Sequence, residues 1–232
     1  QRQNRRSLPV PLVSLVGYTS AGKSTLFRAL TGEEVFVSSG LFATLDPLLR
    51  RVDLHDAHPG YYFILSDTVG FIRDMPPELF TSFAATLEEV RQADLLLHVI
   101  DLTNPDWRGQ MAEVEKVLRQ LAIDATRVIP VFNKIDLLPE GGDLAAIAGP
   151  GVYVSAAAGT GLAGLKEEVF RRHFADYAAY TVAVEDESQL DALARWAIVL
   201  EKNRAAAGYE AVVLCSRENM LQFRQSHGGA TR

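Results

Sequence analysis

Short apolar runs alternate along the chain with stretches in which apolar residues recur every three or four positions. The short runs are rich in β-branched and aromatic residues and predict strands, whereas the periodic stretches predict helices. Strands that alternate with helices form a mostly parallel sheet covered on both faces, so the pattern predicts a doubly wound α/β fold. The predicted strands are residues 12–16, 61–65, 95–100, 128–132 and 152–154, with a shorter edge strand at 50–54, and the predicted helices are residues 24–31, 78–92, 110–121 and 162–176.

The pattern changes after Tyr177, where shorter elements follow one another. A glycine commonly follows the last residue of a helix, and Gly208 is placed to end one. The predicted elements are a strand at 180–184, a helix at 190–206, a strand at 211–214 and a short helix at 219–224. We therefore expect three parts: the basic end of a linker at residues 1–10, a main domain at 11–178 and a small α/β domain at 179–232.

Composition limits the partners of this chain. Its 232 residues carry a net charge of −6, which argues against nonspecific binding of nucleic acid by the whole surface. No apolar run approaches the ~20 residues that span a bilayer, and the one cysteine, Cys215, fits a reducing compartment. We expect a cytoplasmic protein, a monomer, with no membrane span. The chain does not begin with Met, so we also expect it to be a fragment of a longer protein.

Two small basic clusters stand out against this negative charge. Three arginines lie within the first six residues, and Arg171, Arg172 and His173 form the second cluster. Each cluster is either a solvated arm or helix end, or a contact for RNA, and the sequence leaves both interpretations open.

The segment between the first predicted strand and the first predicted helix matches the pattern G-x-x-x-x-G-K-[ST], which binds phosphates in that context. Its glycines let backbone N–H groups surround a polyphosphate without Cβ clashes, and the helix N-terminus adds its positive end. Lys23 is placed to bridge the β- and γ-phosphates and Ser24 to bind Mg²⁺. The alternative is a glycine-rich turn without a ligand. The predicted nucleotide-binding residues here are Gly17, Tyr18, Thr19, Ser20, Ala21, Gly22, Lys23, Ser24 and Thr25.

The segment Asn133-Lys134-Ile135-Asp136 indicates which nucleotide is bound. It follows a predicted strand, at the edge where open α/β sheets bind their ligands. The Asp136 carboxylate can accept hydrogen bonds from the N1–H and 2-amino groups of guanine, whereas adenine offers neither donor. The methylene stem of Lys134 can lie along the base, and a backbone N–H in the later turn Ser155-Ala156-Ala157 can contact guanine O6. The sequence therefore predicts a site for GTP and GDP, with Ala156 as the donor to the base.

Two further segments are placed to close over Mg²⁺ and the γ-phosphate. Asp67 follows the predicted strand 61–65 and can hold Mg²⁺ through a water, while the Gly70 N–H can meet the γ-phosphate. Thr44 can close over both when GTP is bound. We assign Lys23, Thr44 and Gly70 to catalysis, Ser24, Thr44 and Asp67 to the metal, and Phe42, Ala43, Thr44, Leu45, Asp46, Asp67, Thr68, Val69 and Gly70 to nucleotide binding.

The order of these motifs resembles the Ras-like, translation-associated GTPases, and the residues around them narrow the resemblance to the HflX family. The similar stretches are VGYTSAGKSTLF at 16–27, LFATLDP at 41–47, DTVGFIRD at 67–74, ATLEE at 85–89 and ADLLLHV at 93–99. The small domain after residue 180 is similar to that family only in outline.

The resemblance implies a P-loop GTPase with a Ras-like G domain that binds the large ribosomal subunit, through its rRNA and proteins. It implies GTP hydrolysis in response to ribosome contact, and splitting or rescue of stalled ribosomes under stress. It also implies an N-terminal domain and a helical linker, of which this chain would hold only the basic end at residues 1–6, so we do not expect this chain alone to split ribosomes. Two alternatives stay open: a GTP/GDP switch that docks with negligible turnover, and another Ras-like GTPase in RNA assembly or tRNA modification.

Two residues depart from wider GTPase patterns. Phe71 stands after D-x-x-G, where many GTPases have the glutamine that orients the attacking water, and the HflX family shares this replacement. We expect slow turnover until a ribosomal partner completes the site; alternatively, Phe71 packs and a backbone group orients the water. Ser20 stands where the family usually has an asparagine, whose amide oxygen binds K⁺ in potassium-activated relatives. The shorter serine predicts little dependence on K⁺.

Other candidate residues have simpler interpretations. Asp53, His55, Asp56 and His58 form either a metal site or, as the following Pro59-Gly60 favours, a solvated turn. The remaining candidates for packing are His98, Cys215 and the two tryptophans at helical positions, Trp107 and Trp196.

Overall fold

The computed structural model describes residues 10–32, 48–54, 58–67, 88, 90–139 and 142–226. The predictions for the N-terminal arm and for most of the helix at 78–92 lie outside these residues. Of that helix, Glu88 and residues 90–92 are described, and they are helical as expected.

The main sheet has six strands in the order β2-β3-β1-β4-β5-β6. Four of its neighbouring pairs, β1 with β3, β1 with β4, β4 with β5 and β5 with β6, are parallel. Because parallel strands end at the same edge, the carboxyl ends of β1, β3, β4 and β5 lie together there. The strands are β1 Leu12–Gly17, β2 Leu48–Asp53, β3 Tyr62–Asp67, β4 Leu95–Asp101, β5 Val128–Asn133 and β6 Val152–Tyr153.

Helices join these strands, so the mostly parallel P-loop fold expected from the sequence is confirmed. The helix Trp107–Gln120, α2, buries Val114 and Leu118 in a cluster with Val16 of β1 and Leu96 of β4. Short 3₁₀ turns at Ala125–Arg127 and Ile135–Leu137 precede and follow β5. The helices are α1 Lys23–Thr31, α2 Trp107–Gln120, α3 Leu144–Ala148 and α4 Leu162–His173.

A second, three-stranded sheet follows α4. Its order is β7-β9-β8, and both pairings are antiparallel. Buried residues of the sheet pack with Leu193, Met220 and Phe223 of its helices. The elements are β7 Tyr177–Val184, α5 Glu187–Leu193, β8 Ile198–Ala205, β9 Gly208–Ser216 and α6 Arg217–Ser226.

The helix predicted at 190–206 is wrong beyond its first turn. The α5 helix ends at Leu193, Trp196 lies in the turn that follows, and residues 198–205 form β8. Gly208 does not end a helix; it has φ 94°, a left-handed conformation that favours glycine, and begins β9. Pairing with β9 therefore overrides the local helical periodicity.

Contacts divide the chain into two compact units. One comprises residues 12–52 and 63–169, and the other comprises residues 1–11, 53–62 and 170–232. Within the second unit the His58 ring stacks on Phe170 with centroids 3.3 Å apart, and Tyr61 packs edge-on against the same ring. His58, which belongs to the segment interpreted as either a metal site or a solvated turn, thus packs against aromatic rings, and the described residues hold no group of three potential metal-binding side chains.

Two remaining expectations concern packing and the membrane. Trp107 is buried edge-on against Phe132, as expected for a packing residue. Cys215 is buried in β9, where burial raises the pKa of its thiol to about 11 and disfavours the thiolate. Among the helices of the described ranges, none has the length and apolarity that crossing a membrane requires.

Candidate functional site

A loop at the carboxyl end of β1 leads directly into α1, which is the strand–loop–helix order that the phosphate-binding pattern requires. Gly17 has φ 151°, and a Cβ there would clash with the Val99 carbonyl oxygen. Gly22 has φ 97°, and a Cβ there would clash with the side-chain amide of Asn133. Both glycines are therefore required by close neighbours as well as by the turn itself.

Ser20 adopts a left-handed conformation, with φ 65°. Such a conformation costs an ordinary side chain roughly 1–2 kcal/mol per residue, whereas asparagine and glycine accept it more readily. The loop between the two glycines thus holds a non-glycine residue under backbone strain.

Lys23 begins α1 and is only 7% exposed. Its ammonium donates hydrogen bonds to the carbonyl oxygens of Gly17 at 3.2 Å and Tyr18 at 2.9 Å. Burial lowers the pKa of Lys23 to about 8, against the attraction of Asp67, which raises it. Among the residues that the structure describes, two neutral carbonyls are the hydrogen-bond acceptors of this buried cation, and phosphate oxygens would bind it more strongly than they do.

Ser24 and Asp67 form an oxygen-rich pair beside this lysine. The Ser24 hydroxyl donates to Asp67 Oδ2 at 3.0 Å, while Asp67 Oδ1 is buried without a hydrogen-bond partner among the residues that the structure describes. Burial raises the pKa of Asp67, although the Ser24 hydrogen bond and the Lys23 charge oppose this. A hydroxyl and a carboxylate with an unused oxygen suit Mg²⁺, which takes few protein ligands and completes its shell with water and phosphate.

Asn133, at the end of β5, connects the phosphate loop with the loop after β6. Its side-chain amide donates to the Ala21 carbonyl oxygen, and its Oδ1 accepts from the Ala156 N–H, both at 3.0 Å. The side chain is 2% exposed, so these bonds are shielded from water. One buried amide therefore fixes the spacing between the loops expected to hold phosphates and base.

The next residues turn away from the sheet. Lys134 is left-handed, with φ 67°, and Ile135 donates its N–H to Val154 O at 3.3 Å. Asp136 follows in the 3₁₀ turn and is exposed, so its carboxylate is accessible to a ligand. The Lys134 ammonium is 2.6 Å from Asp101 Oδ2, a partner that the sequence analysis did not identify. The D-x-T spacing of Asp101 and Thr103 after a strand is the signal that could have drawn attention to it.

The turn after β6 differs in detail from the sequence prediction. Ser155 is buried and its hydroxyl accepts from Ala158 N–H at 3.0 Å. Ala156 N–H, the donor expected at guanine O6, is instead bonded to Asn133. Within the described residues the neighbouring Ala157 N–H has no hydrogen bond, so it is the available donor in this turn.

His98, predicted to pack, is 2% exposed in β4 and sits in register with Val16 of β1. Burial, with a smaller contribution from the Lys23 charge, lowers the pKa of His98 to about 4. The imidazole is therefore neutral at pH 7 and suits an apolar interior.

Comparison with known proteins agrees with this arrangement. A family model described as 50S ribosome-binding GTPase matches residues 12–134, which is more than half of the chain. GTPase HflX of Magnetococcus marinus is 49% identical over 173 residues, and GTPase HflX of Escherichia coli K12 is 48% identical over 139 residues. The chain belongs to the HflX family of GTPases.

The chain spans less than half the length of these HflX relatives. The aligned parts cover 74% of the chain but 39% of the Magnetococcus protein, and 60% of the chain but 32% of the Escherichia protein. The fold agrees with a solved GTP-binding protein from Sulfolobus solfataricus in complex with GDP, at 27% identity and a TM-score of 0.55. That match covers 70% of this chain and 52% of the other.

Part of the predicted HflX site lies outside the described residues. This holds for residues 42–46, for Thr68, Val69 and Gly70, and for Phe71. The structure brings together the phosphate loop, Asp67, the Asn133–Asp136 segment and the Ser155–Ala157 turn at one edge of the sheet. Thr44 and Gly70 stay predictions as catalytic residues.

Proposed function

We propose that this chain binds GTP and GDP with Mg²⁺ and hydrolyses GTP as a ribosome-associated factor. The observation that carries the proposal is the double hydrogen bond of Asn133, which joins Ala21 of the phosphate loop to Ala156. These two bonds support a defined spacing between the phosphate loop and the start of the segment that carries the exposed Asp136. A guanine can then offer its two donors to that carboxylate while its phosphates reach the loop.

The phosphate end has the groups that the reaction needs. Lys23 exchanges its two carbonyl partners for β- and γ-phosphate oxygens, and Ser24 and Asp67 would hold Mg²⁺, directly or through water. The metal would neutralise charge that develops on the phosphate oxygens. The chain's own residues bind and orient the triphosphate, while Thr44 and Gly70 complete the γ-phosphate contacts in this proposal.

The partner is the large ribosomal subunit, contacted through rRNA and protein. The family model's description as 50S ribosome-binding supports this. Phe71 cannot orient a water by hydrogen bonding, so turnover by the chain alone is slow, and ribosome contact stimulates it. Through this stimulation the chain contributes to the rescue or splitting of stalled ribosomes under stress, although we do not expect it to split ribosomes alone.

Single-turnover hydrolysis of radiolabelled GTP, measured with and without purified large subunits, tests the proposal. We expect slow hydrolysis by the chain alone, faster hydrolysis with large subunits, and none by Lys23→Ala. Sedimentation with the subunits should be stronger with a non-hydrolysable GTP analogue than with GDP. Fast hydrolysis by the chain alone would contradict the role of the partner, and nucleotide-dependent sedimentation without turnover would favour a docking switch instead.

A further inference from the structure

Asp101 is a mostly buried carboxylate beside the segment that would hold the base. It ends β4 and pairs in register with Asn133 of β5. Its Oδ2 is 2.6 Å from the Lys134 ammonium, and the two side chains are 12% and 31% exposed respectively. An ion pair this short and this shielded is held more firmly than one on an open surface.

The other oxygen of Asp101 is fixed as well. Oδ1 accepts hydrogen bonds from the Thr103 N–H at 2.9 Å and from the Thr103 hydroxyl at 2.6 Å. Burial by itself raises the pKa of Asp101, but the hydrogen bonds from Lys134 and Thr103 outweigh it and hold the pKa below its ordinary value. The carboxylate is therefore ionised at pH 7 and cannot rotate without breaking hydrogen bonds.

Lys134 is consequently fixed at both ends. Its backbone is left-handed, with φ 67° and ψ 33°, between the buried Asn133 and the 3₁₀ turn that carries Asp136. Its ammonium is held on Asp101. A lysine side chain loses rotamer freedom when it is ordered, and here that entropy loss occurs before any ligand arrives.

We propose that Asp101 is a positioning residue for the nucleotide base: it holds the ammonium of Lys134 so that the lysine stem is extended at the base site. The ion pair also neutralises Lys134, which leaves the Asp136 carboxylate without a competing cation from that side chain. This inference rests on the proposed function, since it concerns the same guanine nucleotide site.

The chain contains a matched control at the opposite edge of the sheet. Asp124 precedes β5 in an identical D-x-T turn, and its Oδ1 accepts from the Thr126 N–H at 2.9 Å and the Thr126 hydroxyl at 2.8 Å. The positive charge near it is that of Arg127. Asp124→Asn therefore repeats the loss of a carboxylate bonded to a threonine two residues on, at an exposed position away from the base site.

The experiment measures GDP and GTP affinity by isothermal titration for the wild type, Asp101→Asn, Asp124→Asn, Lys134→Ala and the double variant Asp101→Asn/Lys134→Ala. An asparagine at 101 keeps an oxygen for Thr103 but loses the charge that holds Lys134. We expect Asp101→Asn to weaken GDP and GTP binding equally, by about fivefold, and Asp124→Asn to bind like the wild type. In the Lys134→Ala background, Asp101→Asn should cause no further loss.

Wild-type nucleotide affinity in Asp101→Asn would overturn the inference. It would also be overturned if Asp101→Asn weakened nucleotide binding equally in the wild-type and Lys134→Ala backgrounds, because that result would indicate a purely structural role. If circular dichroism shows that Asp101→Asn does not fold, Thr103→Val takes its place, because it removes one hydrogen bond to Oδ1 and keeps both charges. It should weaken GDP binding about twofold, and unchanged affinity would overturn the inference. If the proposed function itself is wrong, the wild type will bind no guanine nucleotide, and this result distinguishes that failure from failure of the inference about Asp101.

Discussion

Replacing Lys23 by methionine should stabilise the nucleotide-free protein while abolishing nucleotide binding. The difference between the ordinary lysine pKa of 10.5 and about 8 in the folded protein corresponds to a cost of about 3 kcal/mol for keeping the charge buried at pH 7. This figure already includes the attraction of Asp67. Methionine removes that cost but leaves the Gly17 and Tyr18 carbonyl oxygens without their donor, at about 1 kcal/mol each. The expected net gain is about 1–2 kcal/mol.

Thermal unfolding without nucleotide measures this gain, which should raise Tm by about 3–6 °C at pH 7. Since the folded protein releases the Lys23 proton near pH 8 and the unfolded chain near pH 10.5, wild-type stability recovers relative to the variant between these values. The advantage of Lys23→Met should therefore disappear by about pH 9.5. Addition of Mg²⁺ and GDP should raise Tm of the wild type only. A lower Tm of the variant at pH 7 would refute the argument that the buried charge is costly.

Three further substitutions test the base, the strained loop position and the second unit. Asp136→Asn exchanges an acceptor for an amide that can donate, so the nucleotide preference should move from GTP towards xanthosine triphosphate. Competition titrations should show GTP binding weakened about 100-fold or more. Unchanged GTP affinity would reject the assignment of Asp136 to the base. The wild type should hydrolyse GTP at similar rates in K⁺ and Na⁺. In Ser20→Asn, where the asparagine suits the left-handed φ of 65°, K⁺ should stimulate hydrolysis several-fold. Such stimulation in the wild type would disprove the prediction. Gly208→Ala would place a Cβ against the Val184 carbonyl oxygen at a φ of 94°. Hydrogen exchange of β7 and β9 should show that the free energy of local unfolding falls by about 2 kcal/mol. Wild-type protection of these strands would contradict the expected strain.

The sheet of the first unit follows from the sequence because each of its central strands is an apolar run between turn signals. The error at residues 190–206 has a specific physical cause. Leu190, Leu193 and Ala197 recur with helical spacing and are all buried, so the periodicity continues across the end of α5. Leu200 fits the same spacing, but it is 39% exposed and lies where β8 departs from regular register with β9. Pairing with β9, which follows across a two-residue turn, determines that strand, and the apolar periodicity of residues 190–206 carries no information about it.

The residues of the candidate site also differ in how far the sequence alone can predict them. Motif residues such as Gly22, Lys23 and Asp136 can be proposed from the sequence because their expected chemistry is tied to a fixed local spacing. The D-x-T spacing draws attention to Asp101, but its ion pair could not be predicted, because Lys134 is 33 positions away and the parallel register of β4 and β5 brings the two residues together. The expectation for the Ala156 N–H rested on local geometry and did not anticipate the competing acceptor, Asn133 Oδ1.

The buried amide of Asn133 has a consequence for engineering this chain to bind an unnatural nucleotide. We assign base selectivity to Asp136, which is exposed, whereas the hydrogen bonds between the two loops come from Asn133, which is buried. Substitutions at Asp136 can therefore alter which nucleotide is accepted without loosening the phosphate loop. Laboratory evolution of this chain towards an unnatural nucleotide should retain Asn133 and vary the exposed turn after it.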